Sequence, residues 1–514
     1  MNRLLVVSLV ACSHPKPSGG WIEHDVSGTT HDTRGSASEP LPDVDVAKLD
    51  AAGIDRLDEA QIQAALARVG DAAPAARLAL RGARLAWHHG DDAGARALLA
   101  RAASAADEAS VHAELVELGK LVAAAPAVQP KTIAVLLPLS GKFASVGSEL
   151  KAAIQVAPSE GASWLFLDTK GEVDAAVAAV EQAYAKGAIA ILGPAGEREA
   201  IAAARAAALH GIPIGLLAPA DGADAGAGVF RLVESPADEG RAVARIAADQ
   251  SFPTVAVLAP RDDVGSESAA AFVDEAKRLG LSVNKQGSYD PTGGNLEPDV
   301  KDFLDLVPAR NPRLAEHLAR YGTKKGWTTF SPDVAFSLLY VPDRYDRGAL
   351  IAAFLPYYGV ELRTIEFPDP DALKRKHGGH MPQVVQLVGG AGWHHPTLPI
   401  RGGTAVQGAL IVDAFAGELG SDTAAAFVAS YQKRTGRPPS AVAAEAHDAA
   451  WLFARARREA AANTTDPRAA MRAALARAKL DDGACGAAAL GPDGEISRAP
   501  SVLQVEGDQL VVAP

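Results

Sequence analysis

Cysteine is nearly absent: a chain of 514 residues holds two, Cys12 and Cys485. A disulfide scaffold is excluded, and so is an all-cysteine zinc site, which needs more thiolates than that. Aromatic residues make up only 5%, so any core must be built chiefly from Ala, Val, Leu and Ile. No apolar run reaches the roughly 18 residues of a membrane-spanning helix. Positive charge is in deficit, with Lys+Arg 50 against Asp+Glu 62 and a net charge of −12. Nucleic acid is therefore a poor partner, because phosphate neutralisation needs clustered Lys and Arg. Apolar residues at 48% and charged residues at 22% mark a globular chain, not a disordered one. The length allows about three or four domains.

The N-terminus reads Met1-Asn2-Arg3, then the apolar run Leu4 to Ala11, then Cys12. One positive charge, a short apolar stretch and a small residue ahead of a cut site have the form of an export signal. Leu9-Val10-Ala11-Cys12 resembles a bacterial lipobox, whose cysteine becomes the lipid-carrying first residue of the mature protein. That resemblance implies a signal over 1–12, lipidation at Cys12, and a periplasmic protein held to a membrane through an acyl anchor. The alternative is a chance cysteine. Ser13 stands where an Asp would resemble an inner-membrane retention signal, so the outer membrane is the expected address. Residues 13–44, with Ser18-Gly19-Gly20 and Pro40-Leu41-Pro42, show no apolar period and read as a flexible tether. Random-coil scaling gives it a span of roughly 30 Å.

From 45 to 126 the composition turns to Ala, Leu and Arg at helical spacing. Helices are predicted over 76–87 and 93–103, separated by His88-His89-Gly90-Asp91-Asp92, with weaker ones over 59–69 and 108–124. Ala95, Leu98, Leu99 and Ala102 are expected to face inward. Two helices joined by a Gly-Asp turn, with small residues where they cross, resemble a tetratricopeptide repeat. A plain Ala-rich helical bundle is the alternative.

After Pro130 the pattern changes again. Ile133-Ala134-Val135-Leu136-Leu137 is a short apolar run bounded by a turn, as in a strand buried on both faces. Further strands are expected at 164–168, 188–192, 212–217, 255–259, 281–283, 336–341 and 384–388, with helices between most of them. Such alternation predicts parallel sheets with right-handed crossovers. Two series in one chain predict two lobes with a cleft between them, and ligands of open α/β sheets sit outside the carboxyl ends of the strands.

The motifs then become specific. Val135-Leu136-Leu137-Pro138-Leu139-Ser140-Gly141, Gly193-Pro194, Ile212-Pro213, Val229-Phe230-Arg231, His447-Asp448-Ala449 and the ending Gly491-Pro492-Asp493-Gly494-Glu495 together resemble the leucine/isoleucine/valine-binding group. The resemblance implies an α/β fold of two doubly wound parallel-sheet lobes, the type 1 periplasmic-binding-protein fold, over 131–514. An all-α tetratricopeptide-like segment precedes it. Lobe 1 is expected at about 131–233 and 438–480, lobe 2 at about 234–437, and a C-terminal tail at 481–514. Within the group, Pro332 to Arg344, Leu355 to Gly359 and Gly389 to Trp393 are similar to the penicillin-binding-protein activator lipoproteins, which share this layout. That likeness implies a non-catalytic protein whose partner is a penicillin-binding protein, a peptidoglycan synthase. The competing expectation is a substrate-binding protein of an ABC transporter, or a sensor, for an amino acid or another small molecule.

The expected interlobe cleft contains Ser140, Ala195, Gly196, Ala220, Asp221, Val264, Pro342 and Ala391. Amino-acid carriers of the group need hydroxyls for the α-carboxylate and an acid for the ammonium. The matching stretches here read Gly193-Pro194-Ala195-Gly196-Glu197, Ala218-Pro219-Ala220-Asp221 and Gly389-Gly390-Ala391-Gly392-Trp393. They offer no hydroxyl, and the last offers no acid, so an ordinary amino-acid carrier is not expected. A cationic or neutral ligand stays open. An open polar pocket would favour a ligand, and one filled by side chains would favour a scaffold. No nucleophile elbow or phosphate loop is present, and no catalytic residue, metal site or cofactor is expected. His377, His380, His394 and His395 read as loop polarity, and Asp262-Asp263 and Asp481-Asp482 as caps and turns.

Overall fold

In the computed structural model the described residues run from 49 to 513, apart from 71–73, 89–90, 106–108, 125, 221, 224–227, 365–368 and 461–465. Cys12, the signal over 1–12, the tether over 13–44 and Asp221 lie outside the described residues. Helices come first: Ala51–Ile54 (α1), Glu59–Val69 (α2), Ala75–His88 (α3), Asp92–Ser104 (α4) and Ala109–Ala124 (α5). Their starts are encoded locally. Asp58 accepts the Gln61 N–H at 2.8 Å, and the Asp58 N–H donates to Gln61 Oε1 at 3.0 Å. Asp91 caps α4 by accepting the Gly94 N–H at 2.7 Å. Each such cap contributes about 1 kcal/mol. Ala79, Ala83, Ala95 and Ala102 are fully buried, which lets α3 and α4 approach closely. Leu98, expected inward, is only half-buried.

The first lobe begins with Gln129–Leu137 (β1), Ala144–Val156 (α6), Ser163–Asp168 (β2), Val173–Ala185 (α7), Ala188–Leu192 (β3), Glu197–Leu209 (α8), Ile214–Leu216 (β4) and Val229–Arg231 (β5). The strands lie in the order β2-β1-β3-β4-β5, all parallel. Ile133 to Leu137 are entirely buried, because helices cover both faces of the sheet. This is why the strand is apolar at every position from Ile133 to Leu137 and does not alternate there.

The second lobe follows: Pro236–Asp249 (α9), Thr254–Pro260 (β6), Asp263–Arg278 (α10), Ser282–Tyr289 (β7), Glu297–Phe303 (α11), Pro312–Tyr321 (α12), Thr323–Thr329 (α13), Leu338–Val341 (β8), Tyr345–Tyr357 (α14), Glu361–Leu362 (β9), Pro370–Lys376 (α15), Val384–Gly389 (β10), Leu398–Gly402 (α16) and Leu410–Asp413 (β11). The chain then returns to the first lobe with Asp422–Thr435 (α17), Ala441–Ala460 (α18), Pro467–Leu475 (α19) and a small antiparallel sheet, Lys479–Gly483 (β12), Gly486–Leu490 (β13) and Ile496–Arg498 (β14). It ends in the second lobe with Ser501–Glu506 (β15) and Gln509–Val512 (β16). There the sheet order is β16-β15-β11-β10-β8-β6-β7.

Two placements differ from what chain order suggests. Helix α17 belongs to the first lobe, where Phe427, Val428 and Tyr431 pack with Ala152 and Ala153 of α6. The last strands are no separate tail. β15 pairs antiparallel with β11, and β16 with β15. The reason is geometric. The chain leaves the second lobe at the carboxyl end of β11 and comes back after Arg498 through Ala499-Pro500 alone. It re-enters at the end from which β11 departs, so it must run the other way. The rest of the sheet, from β11 to the edge strand β7, is parallel as expected.

Two glycines are required by close approach. Gly193 ends β3 at φ +98°, and a Cβ there would lie 2.2 Å from the Leu136 carbonyl oxygen. Gly240 sits where α9 crosses α10, and a Cβ would lie 2.1 Å from the Ser268 carbonyl oxygen. Gly240→Ala gains up to about 1 kcal/mol of helix propensity. It also forces the helices apart at an overpacking cost of about 1–3 kcal/mol. A net loss of about 1 kcal/mol is expected, read as a lower urea midpoint at unchanged slope.

Candidate functional site

The described chain passes between the lobes three times: after β5, after β11 and between β14 and β15. These crossings and the carboxyl ends of the strands enclose a cavity of about 430 Å³. Such a size suits a small-molecule ligand, whose pockets run from about 300 to 1,000 Å³. Most of the wall is apolar and comes from both lobes, with Leu217 and Pro219 beyond β4, Val233 on the first crossing, Val412 at the end of β11, Val442 on α18 and Pro500 on the third crossing.

The polar part of the wall is acidic: Glu234, Glu239, Asp413 and Glu445, with Ser235 beside them. Their situations differ. Ser235 caps α9, its hydroxyl donating to Asp238 Oδ2 at 2.9 Å while accepting the Asp238 N–H at 3.2 Å. Glu239 accepts the Tyr340 hydroxyl at 2.6 Å on Oε1 and the Ala391 N–H at 2.7 Å on Oε2. Tyr340 is itself 2.8 Å from the Ser268 hydroxyl, so Glu239 ties α9, α10, β8 and the loop after β10 together. Burial raises the Glu239 carboxyl, and those two donors partly offset it. Asp413 lies 2.6 Å from His394 Nδ1 through Oδ2 and accepts the Phe415 N–H at 3.2 Å on Oδ1.

Glu445 is 7% exposed. Its Oε1 accepts the Glu234 N–H at 3.1 Å and lies 3.5 Å from the guanidinium of Arg498, a side chain with no exposed surface. Burial raises this carboxyl too, against the lowering pull of Arg498. The Glu234 carboxyl has no hydrogen-bond partner among the described residues. Burial pushes it up to about 7; Arg498 pulls it down, while Glu445, Asp238 and Asp413 push it further up.

Of the residues expected in the cleft, Ala195, Val264 and Ala391 line this cavity. Ser140, Gly196, Ala220 and Pro342 do not. The Ser140 hydroxyl donates to Asp168 Oδ2 at 2.5 Å. Gly196 is the N-cap residue of α8, Ala220 is packed into the core of the first lobe, and Pro342 is buried just past β8. The expectation that the cleft offers no acid near Gly389 to Trp393 is corrected. The acid arrives there from α9, as Glu239 on the Ala391 N–H. Sequence reading missed all four acids because they come from positions 234, 239, 413 and 445. The available signal was local: a capping box at Ser235 and Asp238 places Glu239 in the first turn of α9, at a lobe crossing.

Elsewhere the polar motifs have structural partners. His377 Nε2 lies 2.8 Å from Glu361, and His395 stacks on Tyr345 at 3.8 Å between ring centroids. Asp262 caps α10 through the Gly265 N–H at 2.8 Å, and Asp482 accepts the Thr423 hydroxyl at 2.6 Å. No group of His, Cys, Asp and Glu among the described residues is arranged to hold a metal ion.

Comparison with known proteins agrees with this geometry. The sequence profile of the periplasmic binding protein family matches residues 130–309 and 374–509, more than half of the chain. The unmatched stretch between them includes β8, a strand in the middle of the second sheet. No curated protein sequence matches. Among solved structures, the chain is similar to a protein assigned to branched-chain amino acid ABC transport in Rhodospirillum rubrum, at 21% identity and TM-score 0.57, over 75% of this chain and 100% of that one. It is also similar to a leucine-binding protein from Thermotoga maritima, at 20% identity and TM-score 0.45, over 74% and 97%. A third is a solute-binding protein of an ABC transporter from Rhodopseudomonas palustris in complex with 3,4-dihydroxybenzoic acid, at 16% identity and TM-score 0.48, over 74% and 95%. Likenesses this distant show the fold alone.

Proposed function

The chain belongs to the periplasmic binding protein family, and from that premise we propose that it captures a small molecule between its lobes and presents it to an ABC transporter or a sensor. The observation that carries this reading is the open cavity of about 430 Å³ at the lobe crossings. A scaffold would have no need to keep it empty of side chains. The family is one of binding proteins, not of enzymes, and its location is the periplasm. The lipobox at Leu9 to Cys12 would add a lipid anchor, with the outer membrane as its address.

A ligand at a hundredfold excess over its Kd stabilises the folded state by about 2.7 kcal/mol. Thermal unfolding against pools of small metabolites is therefore expected to show a shift of several degrees for at least one pool. Ala195→Trp, which fills the cavity from its wall, should abolish the shift. A panel of broad chemistry that produces no shift would retire the reading.

A second reading has its own support. The helical segment carries a groove between α3 and α5, with Trp87, Leu118 and Leu121 as its apolar lining beside Arg84, Glu114 and Glu117, and Leu121 is 56% exposed. That groove suits docking on a protein such as a peptidoglycan synthase, the partner implied by the activator-like stretches. A pull-down with a purified bifunctional penicillin-binding protein tests it, and Leu121→Glu should weaken capture. Absence of capture by the intact chain would remove this reading without touching the first.

A further inference from the structure

The cavity is apolar over most of its wall, and all the side-chain polar atoms it leaves without a partner are carboxylate oxygens. The Ser235 hydroxyl is engaged on both sides by Asp238. Both oxygens of Glu239 are engaged, by Tyr340 and by the Ala391 N–H. Both oxygens of Asp413 are engaged, by His394 and by the Phe415 N–H. What remains is the whole carboxyl group of Glu234 and Oε2 of Glu445. Glu445 is more than nine-tenths buried and lines the cavity. The two residues are adjacent, since the Glu234 N–H donates to Glu445 Oε1.

No Lys, Arg or His lines the cavity among the described residues. The nearest cation, Arg498, sits behind Glu445 with no exposed surface and spends a further donor on the Leu232 carbonyl at 3.3 Å. One guanidinium faces both Glu445 and Glu234, and it leaves Glu234 still raised. An α-carboxylate or a benzoate placed here would be desolvated against like charge with no side-chain donor to receive it. A ligand with N–H donors and positive charge meets the opposite situation. The lining also has no aromatic ring among the described residues, so nothing offers the cage that a quaternary ammonium requires.

We propose that the ligand of this cleft is an organic cation bearing N–H donors, a primary amine or a guanidinium on an apolar body, seated between Glu234 and Glu445. This rests on the reading of the chain as a small-molecule receptor and deepens it to a ligand class. Capture of the cation should favour ionised Glu234. The groups facing that carboxyl are Arg498 of β14, Glu445 of α18, Asp238 of α9 and Asp413 of β11. Affinity should therefore rise as pH rises through about 7, with proton release from Glu234 on binding.

The test uses calorimetry and thermal unfolding of the full chain with graded alkylamines, phenethylamine and agmatine as cations, and leucine and 4-hydroxybenzoate as carboxylates. The expected result is stabilisation by at least one amine, weakened tenfold or more in Glu234→Gln and in Glu445→Gln. The first variant removes an unpartnered group and leaves the packing intact, so its failure to bind is not a failure to fold. Binding of a carboxylate with no amine response would overturn the cation and leave the receptor reading standing. Amine binding that is indifferent to Glu234→Gln would overturn the seat proposed here. Silence from every compound would overturn both.

Discussion

Asp448→Ala should cost about 4 kcal/mol, a large part of the roughly 5–15 kcal/mol that holds a typical domain folded. Asp448 has no exposed surface. Its Oδ1 accepts the Ala484 N–H at 2.8 Å and its Oδ2 the Cys485 N–H at 2.9 Å, in the turn between β12 and β13. His447 Nδ1 lies 2.9 Å from Oδ1. Alanine leaves two backbone donors buried without acceptors, each worth about 1–3 kcal/mol. Water cannot replace the carboxylate easily, because Gly483 already packs so close that a Cβ there would sit 2.5 Å from Oδ2. Asparagine keeps one acceptor but turns an N–H₂ toward the other donor, so about half the loss is expected. Urea unfolding of the two variants gives the ordering directly. The substitution also bears on the cavity, because Glu445 lies one turn before Asp448 on the same helix. A variant that unfolds like the wild type would show that the turn is satisfied in some other way.

The same residue shows how much was legible beforehand. His447-Asp448-Ala449 could be matched to a family as letters, but its partners lie some 36 residues further on in a hairpin that has no strong period. What could be read directly were strands buried on both faces. Ile133 to Leu137 and Ala188 to Leu192 are apolar at every position because both faces are covered, and Val384 to Val388 at every position but Gln386. The cap at Asp262 was equally local. The irregular stretch with α11, α12 and α13 was not read, since it has short helices and few apolar repeats. Nor was the return of β15 to the second lobe, because its direction is fixed by where β11 leaves and not by its own residues. The site was the least legible part. Ala195, Val264 and Ala391, which line the cavity, follow strand ends and were taken from the family resemblance. The acids that give the cavity its charge converge from two crossings, α9 and α18, and no spacing in the chain relates position 234 to position 445.

Glu234→Gln should stabilise the ligand-free protein at alkaline pH and leave it unchanged in acid. In the unfolded chain this carboxyl titrates near 4.5, and in the folded cavity near 7. Below the first value both states are protonated, and the side chain adds no pH dependence. Between the two, the folded state holds a proton that the unfolded state has released, so stability falls as pH rises. Above about 7 the folded protein carries the whole penalty of an ionised carboxylate in an apolar wall, at most about 3 kcal/mol for a shift of this size. Glutamine has nothing to ionise, and it keeps the length of the side chain. Urea unfolding at about pH 3.5 and pH 8 should give coincident curves at the lower pH and a gap of about 3 kcal/mol at the higher one. A gap that is constant with pH would mean that Glu234 is solvated and that the charge of the cavity is not held at a cost. If the gap opens as expected, the sign matters for function. A fold that keeps a destabilising carboxylate at its lobe crossings has a group whose cost is removed when a cation arrives, which is the trade between stability and binding expected at a working site. Adding a cation that fills the cavity should then close the gap from the wild-type side, by stabilising wild type at pH 8 while leaving Glu234→Gln where it was.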